Sequence, residues 1–232
     1  MKLWERIRDT LAALASGESL HALLGRIGAG TRPECSVAFT IAVLALGAKM
    51  AKADGRVTAD EVAAFREIFH IRPEDETAAA RVYDLARQDV AGFESYARQI
   101  ARMFRHEPAM LRDIYSGLLH IALADGVLHE GEKGFLARVA EIFDISPREA
   151  ACMKARLDPE GAADAFAVLG LSPDTPPAEA RRRWRQLVRE LHPDHVAARG
   201  MPAEAVRLAN ARLAAVNRAW AEIRRHYAAT AA

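Results

Sequence analysis

One pattern is written twice in the first two thirds of this chain, and it leaves little room for any fold but a helical one. The first copy is an apolar stretch from Ile41 that runs into Ala53-Asp54-Gly55, followed by Val57 and, seven residues after the aspartate, Glu61. The second runs from Leu118 into Ala124-Asp125-Gly126, followed by Leu128 and, again seven residues on, Glu132. The copies close on Glu67-Ile68-Phe69-His70-Ile71-Arg72-Pro73 and on Glu141-Ile142-Phe143-Asp144-Ile145-Ser146-Pro147, the second being three residues longer before its Ile-Phe. Self-similarity of this kind means related helical hairpins that bury their apolar faces in one bundle. From Glu34 to Leu157 the periodicity is helical and no stretch sustains apolar/polar alternation, so no strands are expected. Residues 74–88 and 93–106 supply the connecting helices.

Local chemistry marks the helix ends. Thr58-Ala59-Asp60-Glu61 and Ser146-Pro147-Arg148-Glu149 fit the capping box, in which two side chains satisfy each other's backbone amides. At the corners, aspartate can bond back to the local backbone while glycine takes the positive φ that ends a helix. Glu61 and Glu132 then cap or face solvent. A sharper reading joins Asp54, Glu61, Asp125 and Glu132 into an oxygen-rich divalent-cation site across the pseudo-symmetric bundle, although ligand-type residues do not recur at EF-hand spacings.

Formal net charge is +1, so no global field draws nucleic acid, but the charge is unevenly placed. From Asp164 onward there are 11 Lys/Arg against 7 Asp/Glu, with five arginines between Arg181 and Arg189. Such a segment is either a solvated helix face or a surface for an acidic partner. Nucleic acid is a poor fit, because few aromatic residues are free to stack on bases. Cys35 and Cys152 lack metal-ligand spacing and read as buried thiols in a reducing compartment. Residues 1–29 open with Trp4, Ile7, Leu11 and Leu14 at helical spacing and Lys2, Arg6 and Arg8 off that face. This segment either docks on its own domain or lies on an anionic membrane surface. It has no signal-peptide core, and the apolar run Val37–Ala48 is shorter than the roughly 18–20 residues a bilayer requires.

Asp158-Pro159-Glu160-Gly161 breaks the pattern, and the register changes beyond it. A short apolar helix from Asp164 closes at Gly170; the next begins with Thr175 as cap and Pro176 in its first position. In that helix Trp184, Leu187, Val188 and Leu191 form a core stripe, and Arg182, Arg185 and Arg189 share another face. Pro193 disfavours the α conformation in the residue before it, so the basic helix ends at about Leu191 and His192-Pro193-Asp194 is offered on a loop. A long helix follows, with Val206, Ala209, Leu213, Val216, Trp220, Ile223 and Tyr227 as its seam. The product is a braced antiparallel hairpin with a rigid tip. Pro193 stiffens it, Asp194 suits a charge-assisted bond to a partner arginine, and His192 can donate or accept. Asn217 is either a buried polar residue that ties the helices, the preferred reading, or a contact to the loop.

Two resemblances rest on these residues. The apolar helix entering Ala53-Asp54-Gly55 with Glu61, and again Ala124-Asp125-Gly126 with Glu132, resembles the TerB-like helical domain over residues 34–157. Val168-Leu169-Gly170, Trp184-Arg185-Gln186-Leu187, His192-Pro193-Asp194 and Val216-Asn217-Arg218-Ala219-Trp220 resemble the J-domain pattern in order. A His-Pro-Asp tripeptide alone would arise by chance in a chain of this length about once in a hundred. Both modules together, with the segment from His192 to Pro202, resemble the DjlA-type co-chaperones. His195 stands where that pattern often has lysine, and the membrane-spanning N-terminal helix typical of the group is not visible.

The resulting expectation is an all-α protein: an amphipathic segment over 1–33, a TerB-like bundle over 34–157, a linker over 158–163 and a J-domain over 164–232. The resemblance implies a non-enzymatic co-chaperone without cofactor that stimulates a DnaK-type chaperone ATPase. His192, Pro193 and Asp194 would touch that partner, Arg182, Arg185 and Arg189 would steer it, and the bundle would select an unknown client or site. The alternative is a divalent-cation or stress-sensing bundle with the J-region as a docking adaptor. The expected location is cytoplasmic, or peripheral at the inner membrane through residues 1–29.

Overall fold

The computed structural model describes residues 32–54, 80, 92–124, 126–157, 164–199 and 203–230. The N-terminal amphipathic segment, the Thr58 capping box, the helix expected over 74–88 and the linker therefore lie outside the described residues, Ala80 excepted. Among the described residues every regular element is a helix, so the fold is all-α as expected.

The bundle is built around α1, Arg32–Asp54, whose side chains from Phe39 to Met50 are buried without exception. A helix apolar all round has no solvent face to offer, so it takes the centre. Helices α2 (Phe93–Met103), α3 (Pro108–Ala122) and α4 (Glu130–Ile142) pack against it. Phe39, Ile41, Leu46, Tyr96, Ile100, Phe104 and Met110 close the core, and Phe93 tilts onto Phe135 at 4.6 Å between centroids. Lys49 is tolerated there because its ammonium lies 5.0 Å above the Tyr96 ring. Gly126, at φ 80, takes the positive φ expected at the second Asp-Gly corner. Glu132 is 2% exposed and its Oε2 accepts the His129 N–H at 2.9 Å, a capping role.

Helix α5, Pro147–Ala155, starts from half of the expected capping box. Ser146 Oγ accepts the Glu149 N–H at 3.2 Å, but the Glu149 carboxylate is taken by Arg112 of α3. A tertiary guanidinium with two donors outcompetes a single local amide. An ion-pair clamp joins α2 to α4. Glu94 accepts Arg138 Nε at 3.0 Å and Nη2 at 3.2 Å, and also Arg98 Nη1 at 2.8 Å.

Hydrogen bonds from Arg138, then from Arg98, hold the Glu94 carboxyl down to about 2, against the ordinary 4.5. A depressed carboxylate stabilises the fold fully above 4.5 and loses that contribution as pH falls toward 2. Glu94→Gln should therefore melt below the wild type at pH 6, and the gap should close on acidification to about pH 2.5. A gap that is the same at both pH values would refute the clamp.

The second core gathers α6 (Ala165–Leu169), α7 (Pro177–Glu190) and α9 (Ala203–Thr230) around Phe166, Leu169, Leu187, Val216 and Ile223. Asp164 caps α6 by accepting the Phe166 N–H, and Gly170 ends it at φ 72, the latter as expected. The start of α7 differs by one residue. Pro176 is the N-cap and Pro177 the first helical residue, while Thr175 Oγ1 accepts the Ser172 N–H. Two successive prolines are tolerated because neither position needs its amide. Trp184 stacks on Trp220 at 5.3 Å and donates Nε1–H to Asn217 Oδ1 at 3.0 Å, so Asn217 ties α7 to α9 from an exposed position.

Helix α9 does not serve the hairpin alone. At 28 residues it is about 42 Å long. Its early residues Ala205, Val206 and Ala209 join the bundle core, whereas Val216, Ala219 and Ile223, with Trp220 and Tyr227 packed beside them, belong to the second. The expected seam is thus divided between two cores.

Candidate functional site

As expected, α7 ends at Glu190 with Leu191 as its C-cap. The segment after it was expected as a loop, and here the structure corrects the sequence reading. Pro193 to Ala198 form a short helix, α8. His192 is extended at ψ 128 and is the N-cap; its Nδ1 accepts the Asp194 N–H at 3.2 Å. Pro193 at the first helical position needs no partner for its missing amide. Accepting that bond requires a lone pair on Nδ1, which leaves the ring proton on Nε2. Asp194 has its side chain 87% exposed, with Oδ2 only 3.6 Å from His192 Nδ1. The tripeptide thus presents a free carboxylate from a short capped helix.

The opposite side of α8 is anchored in the bundle. Val196 is buried in the first core, and Arg199 Nη2 donates to Asp113 Oδ2 of α3 at 2.6 Å. The other oxygen of Asp113 accepts Arg212 Nη2 of α9 at 2.9 Å, and Arg212 Nη1 donates to Ser116 Oγ at 2.8 Å. Asp113 is 5% exposed and Arg212 3%. One buried carboxylate therefore holds the end of α8 and α9, the two segments that follow the tip.

Arg182, Arg185 and Arg189 are all exposed on α7. Arg182 borders a cleft of about 840 Å³ between α7 and the bundle, whose lining does not include Arg185 or Arg189. Arg183, from the same basic run, donates Nε–H to the Leu169 carbonyl at 3.2 Å. Two arginines of α5 and its C-cap do the same for the neighbouring carbonyls: Arg156 Nε reaches Val168 O at 2.9 Å and Arg148 Nη2 reaches Gly170 O at 2.8 Å. Three guanidinium groups thus satisfy the C-terminal carbonyls of a five-residue helix. Burial, with Arg183 and Arg212 nearby, pulls Arg156 down to about 10.

Sequence reasoning missed Asp113, Arg212, Arg156 and Arg148. For the first two a signal existed. Asp113 shares a helix face with Met110, Ser116 and Gly117, and Arg212 lies among Ala209, Ala215 and Val216, so each is an ionised group on an apolar face. Such groups stay buried only with a partner of opposite charge. Of the four cation-site candidates only Glu132 has a described side chain, and it is spent on its cap. Glu61 and Asp125 lie outside the described residues, as does the side chain of Asp54.

The family described as "Tellurite resistance protein TerB" matches residues 40–155, half of the chain, from within α1 to the end of α5. The chain belongs to the TerB family. Beyond that family, the chain is similar to proteins of the DjlA type. The protein named "Co-chaperone protein DjlA" from Coxiella burnetii is 26% identical over 196 residues, covering 76% of this chain and 73% of the relative. That from Photobacterium profundum is 25% identical over 216 residues, covering 81% and 77%. That from Escherichia coli (strain K12) is 24% identical over 198 residues, covering 74% and 73%. These alignments are longer than the TerB match, so the likeness extends beyond the bundle. No solved structure matches the chain. Among the described residues no helix is long and apolar enough to cross a membrane.

Proposed function

We propose that the chain is a non-enzymatic co-chaperone whose C-terminal hairpin acts as a J-domain, stimulating the ATPase of a DnaK-type partner through His192, Pro193 and Asp194. The observation that carries this reading is the exposed Asp194 carboxylate on a helix start capped by His192 and locked by Pro193. Little conformational entropy remains to be lost when a partner arginine meets that carboxylate. The names of the similar proteins support the same reading. Arg185 and Arg189 steer an acidic partner surface and act on the association rate more than on final affinity. The bundle holds the tip at a set orientation through Asp113 and carries it to a client or site.

The test is single-turnover ATP hydrolysis by a DnaK-type chaperone with the full chain added. Asp194→Asn removes a charge-assisted hydrogen bond, so stimulation should weaken about ten- to hundredfold with the melting curve unchanged. Wild-type stimulation retained by that variant would end the proposal.

A further inference from the structure

We propose that the cleft between α7 and the bundle binds a small phosphate-bearing ligand, held by Arg148, Arg156, Arg182 and Arg183. Its volume of about 840 Å³ is in the range of small-molecule sites. Among the described residues seven arginines line it, and described carboxylates pair with only three of them. Asp113 takes Arg199 and Arg212, and Glu149 takes Arg112. The four that remain face Glu179 and Glu190, and Glu190 already accepts a hydrogen bond from Gln186.

Capping α6 does not exhaust these arginines. Each guanidinium has five N–H donors, and Arg148, Arg156 and Arg183 each give one to a carbonyl of the α6 terminus. Arg156 is only 8% exposed, and among the described residues no carboxylate forms a close ion pair with it, Glu190 acting on it only at longer range. A buried guanidinium without a close counter-charge is costly, and burial together with the neighbouring Arg183 and Arg212 lowers its pKa. A second sign of a missing acceptor is Arg199 on the same wall, whose buried Nε–H meets no partner among the described residues.

The ligand class follows from charge density. Four cations around one void call for several negative charges in a small volume. A phosphate group carries about −1.5 to −2 with three strong acceptor oxygens, and arginine forks match it in bidentate geometry. An acidic peptide spreads its charges along roughly 3.5 Å per residue and brings backbone groups that need partners of their own. The inference does not depend on the co-chaperone reading, and either can fail alone.

The experiment is calorimetric titration of the full chain with tripolyphosphate, with ATP free of metal, and with hexaglutamate at matched ionic strength. Tripolyphosphate and ATP should bind at one site with micromolar Kd, and hexaglutamate at least about tenfold more weakly. Equal affinity for the first two assigns recognition to the phosphate chain; tighter ATP adds recognition of the nucleoside. Arg182→Gln should weaken binding about tenfold, and Arg156→Gln further. Arg224→Gln, an equal change of charge on exposed α9 away from the cleft, should stay within about twofold. Arg182 is exposed and off the packed face of α7, so its variant remains folded and reads binding alone. No heat from either phosphate ligand, an equal loss in Arg224→Gln, or hexaglutamate binding as tightly would each overturn the proposal.

Discussion

Asp113→Ala is expected to destabilise the chain by about 3–5 kcal/mol, the largest effect of any single substitution considered for this protein. The carboxylate is 5% exposed and is shared by Arg212 at 2.9 Å and Arg199 at 2.6 Å. Removing it leaves Arg212, itself 3% exposed, as a buried cation held only by Ser116 Oγ and the Leu208 carbonyl. Most of the cost is that stranded charge rather than the lost attraction. Replacing the pair together, as Asp113→Asn with Arg212→Met, should therefore be milder than Asp113→Ala alone. Urea unfolding of these variants checks the order, and an Asp113→Ala cost below about 1 kcal/mol would show that the clamp carries no weight. Hydrogen exchange gives a second reading. Amides of α8 should lose protection in Asp113→Ala before those of α1, because Asp113 holds α8 through Arg199.

Gly170→Ala should cost about 2–5 kcal/mol, through two separable causes. At φ 72 the residue is left-handed, which a Cβ disfavours by about 1–2 kcal/mol. The same Cβ would lie 2.9 Å from the Sγ of buried Cys152 on α5, closer than such contacts occur. A packed core gives way to an added methyl at about 1–3 kcal/mol. Cys152→Ala removes the sulfur and so should relieve the second part while leaving the first. In a double-mutant cycle the two substitutions together should be less damaging than their sum by about 1 kcal/mol or more. Strict additivity would mean that the backbone conformation alone explains the glycine.

These two positions show where local rules stop. Gly170 as a helix terminator was legible, because a glycine after a short apolar helix signals a left-handed cap. That Cys152 would press against it was not, since nothing local relates α5 to the end of α6. The His192-Pro193-Asp194 tip and the end of α7 were legible from Pro193 and the helical stripe, yet the following segment was read as loop. Its helicity is stabilised by Val196 entering the bundle core and by Arg199 meeting Asp113, 86 residues away. Likewise Ser146 was rightly read as a cap, but its expected partner Glu149 was claimed by Arg112.

By itself the sequence determined what depends on neighbours within about one helical turn. That covers the all-helical class, the central apolar helix α1, the turn at Gly126, the stop at Gly170, the stripes of α7 and α9, and a carboxylate displayed beside a proline. Only the tertiary structure decided that α9 belongs to two cores, that one buried aspartate holds both α8 and α9 behind the tip, and that three arginines converge on one helix end to leave a cationic cleft. The physical reason is range. Helical periodicity and capping are written in spacings of three or four residues, whereas a buried ion pair is chosen by whichever opposite charge packing brings within about 3 Å.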